Sequence, residues 1–108
     1  MSIFSRIIAR EIPADIVFES DTIIAFRDIA PQAPVHILVV PKTASYATVA
    51  ELAAGDPALL AELVAVASDV AGGDYRLVFN SGADAGQTVF HVHAHVLAGG
   101  LEEGSLAK

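Results

Sequence analysis

The 108-residue sequence contains no cysteine and no tryptophan. Without thiols, disulfide bonds, thiolate metal sites and a cysteine nucleophile are excluded. Basic residues are scarce: 6 Lys and Arg stand against 13 Asp and Glu, a formal net charge of −7. Such a surface repels a nucleic-acid backbone or an anionic membrane, so neither is expected as a partner. No apolar run approaches the roughly 18 residues of a membrane span. Residues 1–10 lack the apolar stretch and small-residue cleavage site of a signal peptide. A cytoplasmic protein is the expectation. Internal repeats, low-complexity tracts and linkers are also missing, so residues 1–108 read as one domain.

Apolar residues are abundant, at 54%. A chain of this length buries roughly 65% of its unfolded surface, enough for one core without staples. The apolar excess suggests that a second copy covers part of the surface, which predicts a homodimer.

Residues 2–10 place Phe4, Ile7 and Ile8 at helical spacing, with Pro13 as the stop. Residues 16–19 and 22–28 are apolar and β-branched around the turn Ser20-Asp21, which predicts a hairpin. Pro31 and Pro34 make the next loop rigid. Residues 36–40 form a near-continuous apolar strand closed by Pro41, and 43–52 read as a connection with a helical turn or two. Asp56-Pro57 is a strong helix start. Leu59, Leu60, Leu63, Val64, Ala67 and Val70 continue that helix at three- and four-residue steps, and Gly72-Gly73 ends it. Strands are predicted over 75–80 and 89–97, separated by a polar glycine-containing loop over 81–88. About five strands, one long helix and one or two short ones, without βαβ alternation, give an α+β fold with a mainly antiparallel sheet.

Chemistry concentrates in residues 89–97. Residues two apart on a strand share a face, so His91, His93 and His95 would line one side and Val92, Ala94 and Val96 the other. Three adjacent imidazoles are a poor core, because their nitrogens need partners and several cannot be charged at once. Three readings compete: a network of mutually satisfied histidines, a zinc site with His36 as a third ligand, and a phosphate site with one imidazole as nucleophile. The preceding loop, Asn80 to Thr88, favours the last. Its glycines let backbone N–H groups approach a phosphate closely, and Thr88 brings a hydroxyl.

The run His91-Val92-His93-Ala94-His95-Val96-Leu97 matches in full the signature His-φ-His-φ-His-φ-φ, with φ apolar. On this run, on residues 28–36, on Val39-Val40-Pro41-Lys42 and on residues 80–88, the chain resembles the histidine triad (HIT) family. Within it the chain is most similar to the Hint branch of nucleotide-binding phosphoramidases. The resemblance spans Ile3 to about Leu97. It implies a HIT-like fold and a purine nucleotide as substrate.

It further implies that His93 is the nucleophile, forming a nucleotidyl-histidine intermediate at the α-phosphorus. His95 would hold the phosphate, and His91 and His36 would complete and orient the site. Thr88 stands where the branch usually has Ser, near the leaving group. Gly86 and Gln87 match the phosphate-side loop, and Asn80 a polar residue near the nucleotide. Asp28 matches the acid that holds the ribose hydroxyls. Ile3, Phe4, Ile7, Ile12, Phe26, Ile29 and Leu38 match an apolar purine pocket. Read from spacing alone, those apolar residues are ordinary core and Asp28 a turn former. Arg27 and Lys42 read as solvated charges.

Departures from the family carry information. The third histidine, His95, stands where the transferase branch has Gln, which favours hydrolysis. Ser2 and Ser5 occupy the positions of the Cys-x-x-Cys found in many bacterial members, and the histidine usual after the Pro-Lys strand end is missing at Thr43-Ala44-Ser45. No structural zinc and no cofactor are therefore expected. The tail over 100–108 has no Trp and carries acids. The expectation is a phosphoramidase that cleaves P–N bonds of adenosine 5′-phosphoramidate or aminoacyl-adenylate-like compounds. The alternatives are a dinucleoside polyphosphate hydrolase of the Fhit branch and a non-catalytic nucleotide-binding module.

Overall fold

The computed structural model describes residues 2–105, so the end of the tail, 106–108, lies outside the described residues. Strands β1 (Ile16–Glu19), β2 (Ile23–Arg27), β3 (Val35–Pro41), β4 (Arg76–Val78) and β5 (Ala94–Ala98) form one sheet in the order β1-β2-β3-β5-β4, every pair antiparallel. Helix α1 (Ile3–Ile8) precedes the sheet. Helices α2 (Val49–Gly55) and α3 (Pro57–Ala71) lie between β3 and β4. The α+β architecture and the element count agree with the sequence reading. Among the described residues no helix is long and apolar enough to cross a membrane.

Both sheet faces are covered, by different means. Along β2, Ile23 and Ala25 point to one face and Ile24 and Phe26 to the other; along β3, Ile37 and Val39 oppose Leu38 and Val40. The first set packs with Ala94 and Val96 of β5 against Leu59, Leu63, Val66 and Ala67 of α3 and Leu52 of α2. Each fully buried aliphatic side chain there contributes roughly 1.5–3 kcal/mol. The second set meets Phe4 and Ile7 of α1. Helix α1 is short, so it leaves an opening on that face, and this opening positions the site.

Helix ends follow their caps. Asp56 accepts from the Leu59 N–H with Pro57 at the first turn, and Gly72 closes α3 in the left-handed region at φ 69°. Thr48 and Glu51 form a reciprocal capping box that starts α2, inside what reads from sequence as a loose connection. Helix α1 stops earlier than Pro13 requires. Arg10 takes a left-handed φ of 64°, and its guanidinium joins Glu19, which also holds Lys42 at 2.8 Å. Lys42 and Arg27, expected to be solvated, thus have partners; Arg27 Nε lies 3.2 Å from Asp15 Oδ2.

Two strands are shorter than their apolar runs. The run over 75–80 pairs only as Arg76–Val78. The run over 89–97 enters the ladder only at Ala94 and continues to Ala98. Upstream of Ala94 the chain is held by other bonds. The Val92 N–H donates to Tyr46 O at 2.9 Å, a connection no ladder could make.

Candidate active site

Although only His95 lies in β5, the three histidines still gather on one side. The His93 and His95 rings are 5.1 Å apart, and Phe4 of α1 meets His93 edge-on at 4.8 Å and His91 at 6.1 Å. Phe4 therefore links the helix to the triad. His36, from β3 on the same face, lies 2.9 Å from His95, Nε2 to Nδ1.

Main-chain carbonyls decide where two of the hydrogens sit, because a carbonyl can only accept. His93 Nδ1 donates to His91 O at 2.9 Å. Its Nε2 is thus bare, and His93 lines the open cavity. His91 Nε2 donates to Pro41 O at 2.7 Å, and its Nδ1 is buried without a partner. His91 thus braces the segment from beneath and presents nothing to the opening.

Burial pushes the His93 pKa below the ordinary 6.5, outweighing the opposing help of its bond to His91 O and of the Asp28 charge. Burial, with repulsion from His93 and His36, pushes His95 down to about 4. Both rings are therefore neutral at pH 7. A neutral His93 with Nε2 bare is a nucleophile in its reactive form.

The cavity beside these rings has a volume of about 300 Å³. Ile3, Phe4 and Ile7 of α1, with Ile12, Phe26, Leu38 and Ile29, form its apolar lining. Asp28, Thr88, His93 and His95 supply its polar end. Ile29 is 94% exposed at the mouth of the cavity it lines. Asp28 is partly engaged: Oδ1 accepts from the Ala30 N–H at 2.8 Å and Oδ2 lies 3.5 Å from His36 Nε2. The cavity thus combines an apolar lining with a carboxylate, a hydroxyl and two imidazoles, groups that can receive a flat ring and a polar, anionic end.

Three residues drawn from the resemblance do not line this cavity: Asn80, Gly86 and Gln87. Gln87 is buried, and its side chain is committed within the protein. Its Nε2 donates to Ala47 O at 2.7 Å and Val89 O at 3.0 Å, and its Oε1 accepts from the Gly82 N–H at 2.9 Å. Gln87 staples the loop before the triad to the connection after β3. Its place in the loop directly before Thr88 keeps it close to the polar end of the cavity, while its side chain is spent on holding that loop. Gly86 adopts φ 93° at the end of a turn over Ala83–Ala85, a conformation only glycine takes without strain, and Asn80 lies beside it. Both shape the loop. Conversely, Pro13, Ala14, Arg27 and Val89 line the cavity without having been read as site residues. Tyr46, Ala47 and Pro41 act through main-chain oxygens, which no side-chain pattern reveals.

Asp28, His36 and His95 offer ligand atoms within 4.8 Å of one another, the only such metal-capable group among the described residues. His36 Nε2 and His95 Nδ1 already share one hydrogen, so a cation there would displace it.

Comparison with known proteins agrees with this geometry. Residues 9–100 match the HIT domain. An uncharacterized HIT-like protein of Synechocystis is 50% identical over 106 residues, covering 91% of this chain and 90% of its own. The purine nucleoside phosphoramidase of Escherichia coli is 43% identical over 104 residues, covering 91% and 87%. The crystal structure of a HIT family hydrolase from Legionella pneumophila superposes with a TM-score of 0.87 at 42% identity, over 94% of this chain and 95% of that one. With the histidine cluster, its cavity and these full-length likenesses together, the chain belongs to the HIT domain family and is a hydrolase.

Proposed function

We propose that the protein is a purine nucleoside phosphoramidase, as the Escherichia coli relative is named. The observation that carries this reading is His93. Its Nδ1–H is held by His91 O, its Nε2 is bare, and it stands where an apolar slot meets Asp28, Thr88 and His95.

The purine would lie between the α1 wall and Phe26, Leu38 and Ile29, with the ribose hydroxyls against Asp28. His93 Nε2 attacks the α-phosphorus and forms a P–N bond to the ring. The P–N bond to the leaving amine breaks, and the amine departs with a proton supplied by a neighbouring histidine or Thr88. Water then cleaves the nucleotidyl-histidine bond, releases the nucleoside 5′-monophosphate and restores His93. Donors aimed at the phosphoryl oxygens supply the charge stabilisation.

Turnover of adenosine 5′-phosphoramidate by wild type and by His93→Ala tests the reading. Wild type is expected to release AMP, with activity falling by at least about a thousandfold in the variant, since a covalent step loses its nucleophile. Full turnover by His93→Ala would sink it. A wild type that cleaves diadenosine polyphosphate but not the phosphoramidate would transfer the site to a polyphosphate hydrolase, and nucleotide binding without either turnover to a binding module.

We infer further that the protein works as a homodimer. Helix α3 turns Ala61, Val64 and Ala65 outward, and β4 is an edge strand whose residues are only half-buried. Both features suit burial against a second copy.

A further inference from the structure

The hydrogen between His36 and His95 can lie in either direction, and the direction decides which nitrogen of His95 carries its own hydrogen. If His95 Nδ1 donated, its Nε2 would be bare and would repel a phosphoryl oxygen. If His36 Nε2 donates, His95 carries its hydrogen on Nε2. That nitrogen is buried and has no partner in the protein.

The loop between β2 and β3 settles the direction. The Gln32 N–H lies 3.0 Å from His36 Nδ1. A main-chain N–H can only donate, so His36 Nδ1 must accept. The one hydrogen of neutral His36 then sits on Nε2 and is donated to His95 Nδ1, and the hydrogen of His95 sits on Nε2. His93 has the opposite arrangement, because a carbonyl takes its Nδ1–H. His93 thus offers the cavity a lone pair, and beside it the hydrogen of His95 sits on a nitrogen that is buried with no partner in the protein.

The loop is built to hold that amide still. Its ends are joined by the Asp28 N–H donating to His36 O at 3.0 Å. Inside it, Asp28 Oδ1 caps the Ala30 N–H and Gln32 Nε2 donates to Ala30 O at 3.1 Å. Pro34 is pressed by Gly99, where a Cβ would come within 2.8 Å of the proline Cβ.

We propose that the main-chain N–H of Gln32 is a positioning group that fixes the hydrogen-bond direction of the His36–His95 pair and makes His95 the phosphoryl-oxygen donor. Its consequence for rate rests on the phosphoramidase reading; the hydrogen positions do not.

The test replaces the Pro31–Gln32 amide by an ester in the full-length chain, using the α-hydroxy analogue of glutamine. This removes the N–H and keeps the side chain. Long-range ¹H–¹⁵N correlation spectra read the ring hydrogens, and adenosine 5′-phosphoramidate is the substrate. In wild type, His36 and His95 are expected as Nε2–H forms and His93 as Nδ1–H. In the ester chain, His36 becomes a mixture and kcat falls about tenfold or more with KM little changed, as expected for losing alignment of one transition-state donor.

Wild-type His36 carrying its hydrogen on Nδ1 overturns the proposal. So does an ester chain whose kcat falls while its ring hydrogens stay put, since the loop then matters only for shape. An ester chain with altered hydrogens and undiminished kcat overturns it as well. If the ester chain does not fold, the wild-type spectra decide. If the wild-type hydrogens lie as assigned and no phosphoramidate is cleaved, the phosphoramidase reading fails and the spectra of the ester chain still judge the positioning group.

Discussion

His93 and His95 are adjacent imidazoles kept neutral chiefly by burial. This sets the pH response in a stated direction. The reactive form of His93 is the neutral one, and its pKa lies below the ordinary 6.5, so lowering pH from 7 to 6.5 should leave it reactive. The acid limb of kcat/KM is therefore expected below pH 6.5, and a limb at or above that value contradicts a desolvated nucleophile. Stability follows the same groups. In the unfolded chain these histidines take protons near 6.5, while the folded chain resists, with His95 at about 4. The unfolded state thus binds more protons across that window, so stability is complete above pH 6.5 and declines as pH falls toward 4. Denaturant titrations at pH 7 and 5 check the sign. The residues themselves were legible in the sequence, because alternation at period two puts three imidazoles together. Which nitrogen carries each hydrogen was not, because His91 O, Pro41 O and the Gln32 N–H set it and have no side-chain signature.

At the scale of elements, the segment before β5 shows what periodicity can and cannot give. Alternation of His91, His93 and His95 with Val92 and Ala94 reads as strand, and the side-chain facing it implies is correct. The ladder nevertheless begins at Ala94, because Val92 is bonded to Tyr46 O and His91 to Pro41 O. These two bonds tie the segment that carries His91 and His93 to the end of β3 and to the connection after it. Gln87 adds a third tie by bridging Ala47, Val89 and Gly82. These bonds were not legible in the sequence, because only the fold brings Ala47 within reach of Gln87. Gln87→Ala is expected to cost about 2–3 kcal/mol, since it strips partners from three main-chain groups. It should also lower kcat through displacement of Thr88. Chemical denaturation and turnover measure the two effects. Unchanged stability with weakened AMP binding would instead make Gln87 a ligand of the nucleotide.

At the scale of the whole molecule, the chain leaves apolar side chains exposed in several places, among them Phe90, Ile29 and Val64. Ile29, 94% exposed, borders the cavity, where the base would cover it. Val64, 39% exposed on α3, lies among outward-facing alanines on a different part of the fold, and no ligand in the cavity reaches it. A specific interface covers about 800 Å² per partner, roughly an eighth of the 6112 Å² accessible on this chain. The exposed face of α3 and the edge strand β4 are suited to supply it, because a second copy there would remove the apolar face from water. The protein is thus expected to sediment at twice its 11.2 kDa chain mass. Val64→Glu places a charge where the partner would bury it and should shift the equilibrium toward the monomer. In the monomer the same change is at a partly exposed helix position and should cost within about 0.5 kcal/mol. Sedimentation equilibrium over a concentration series, with thermal unfolding as the control for folding, reads both. A Val64→Glu protein that remains dimeric would move the interface off α3, and a monomeric wild type would remove the dimer altogether.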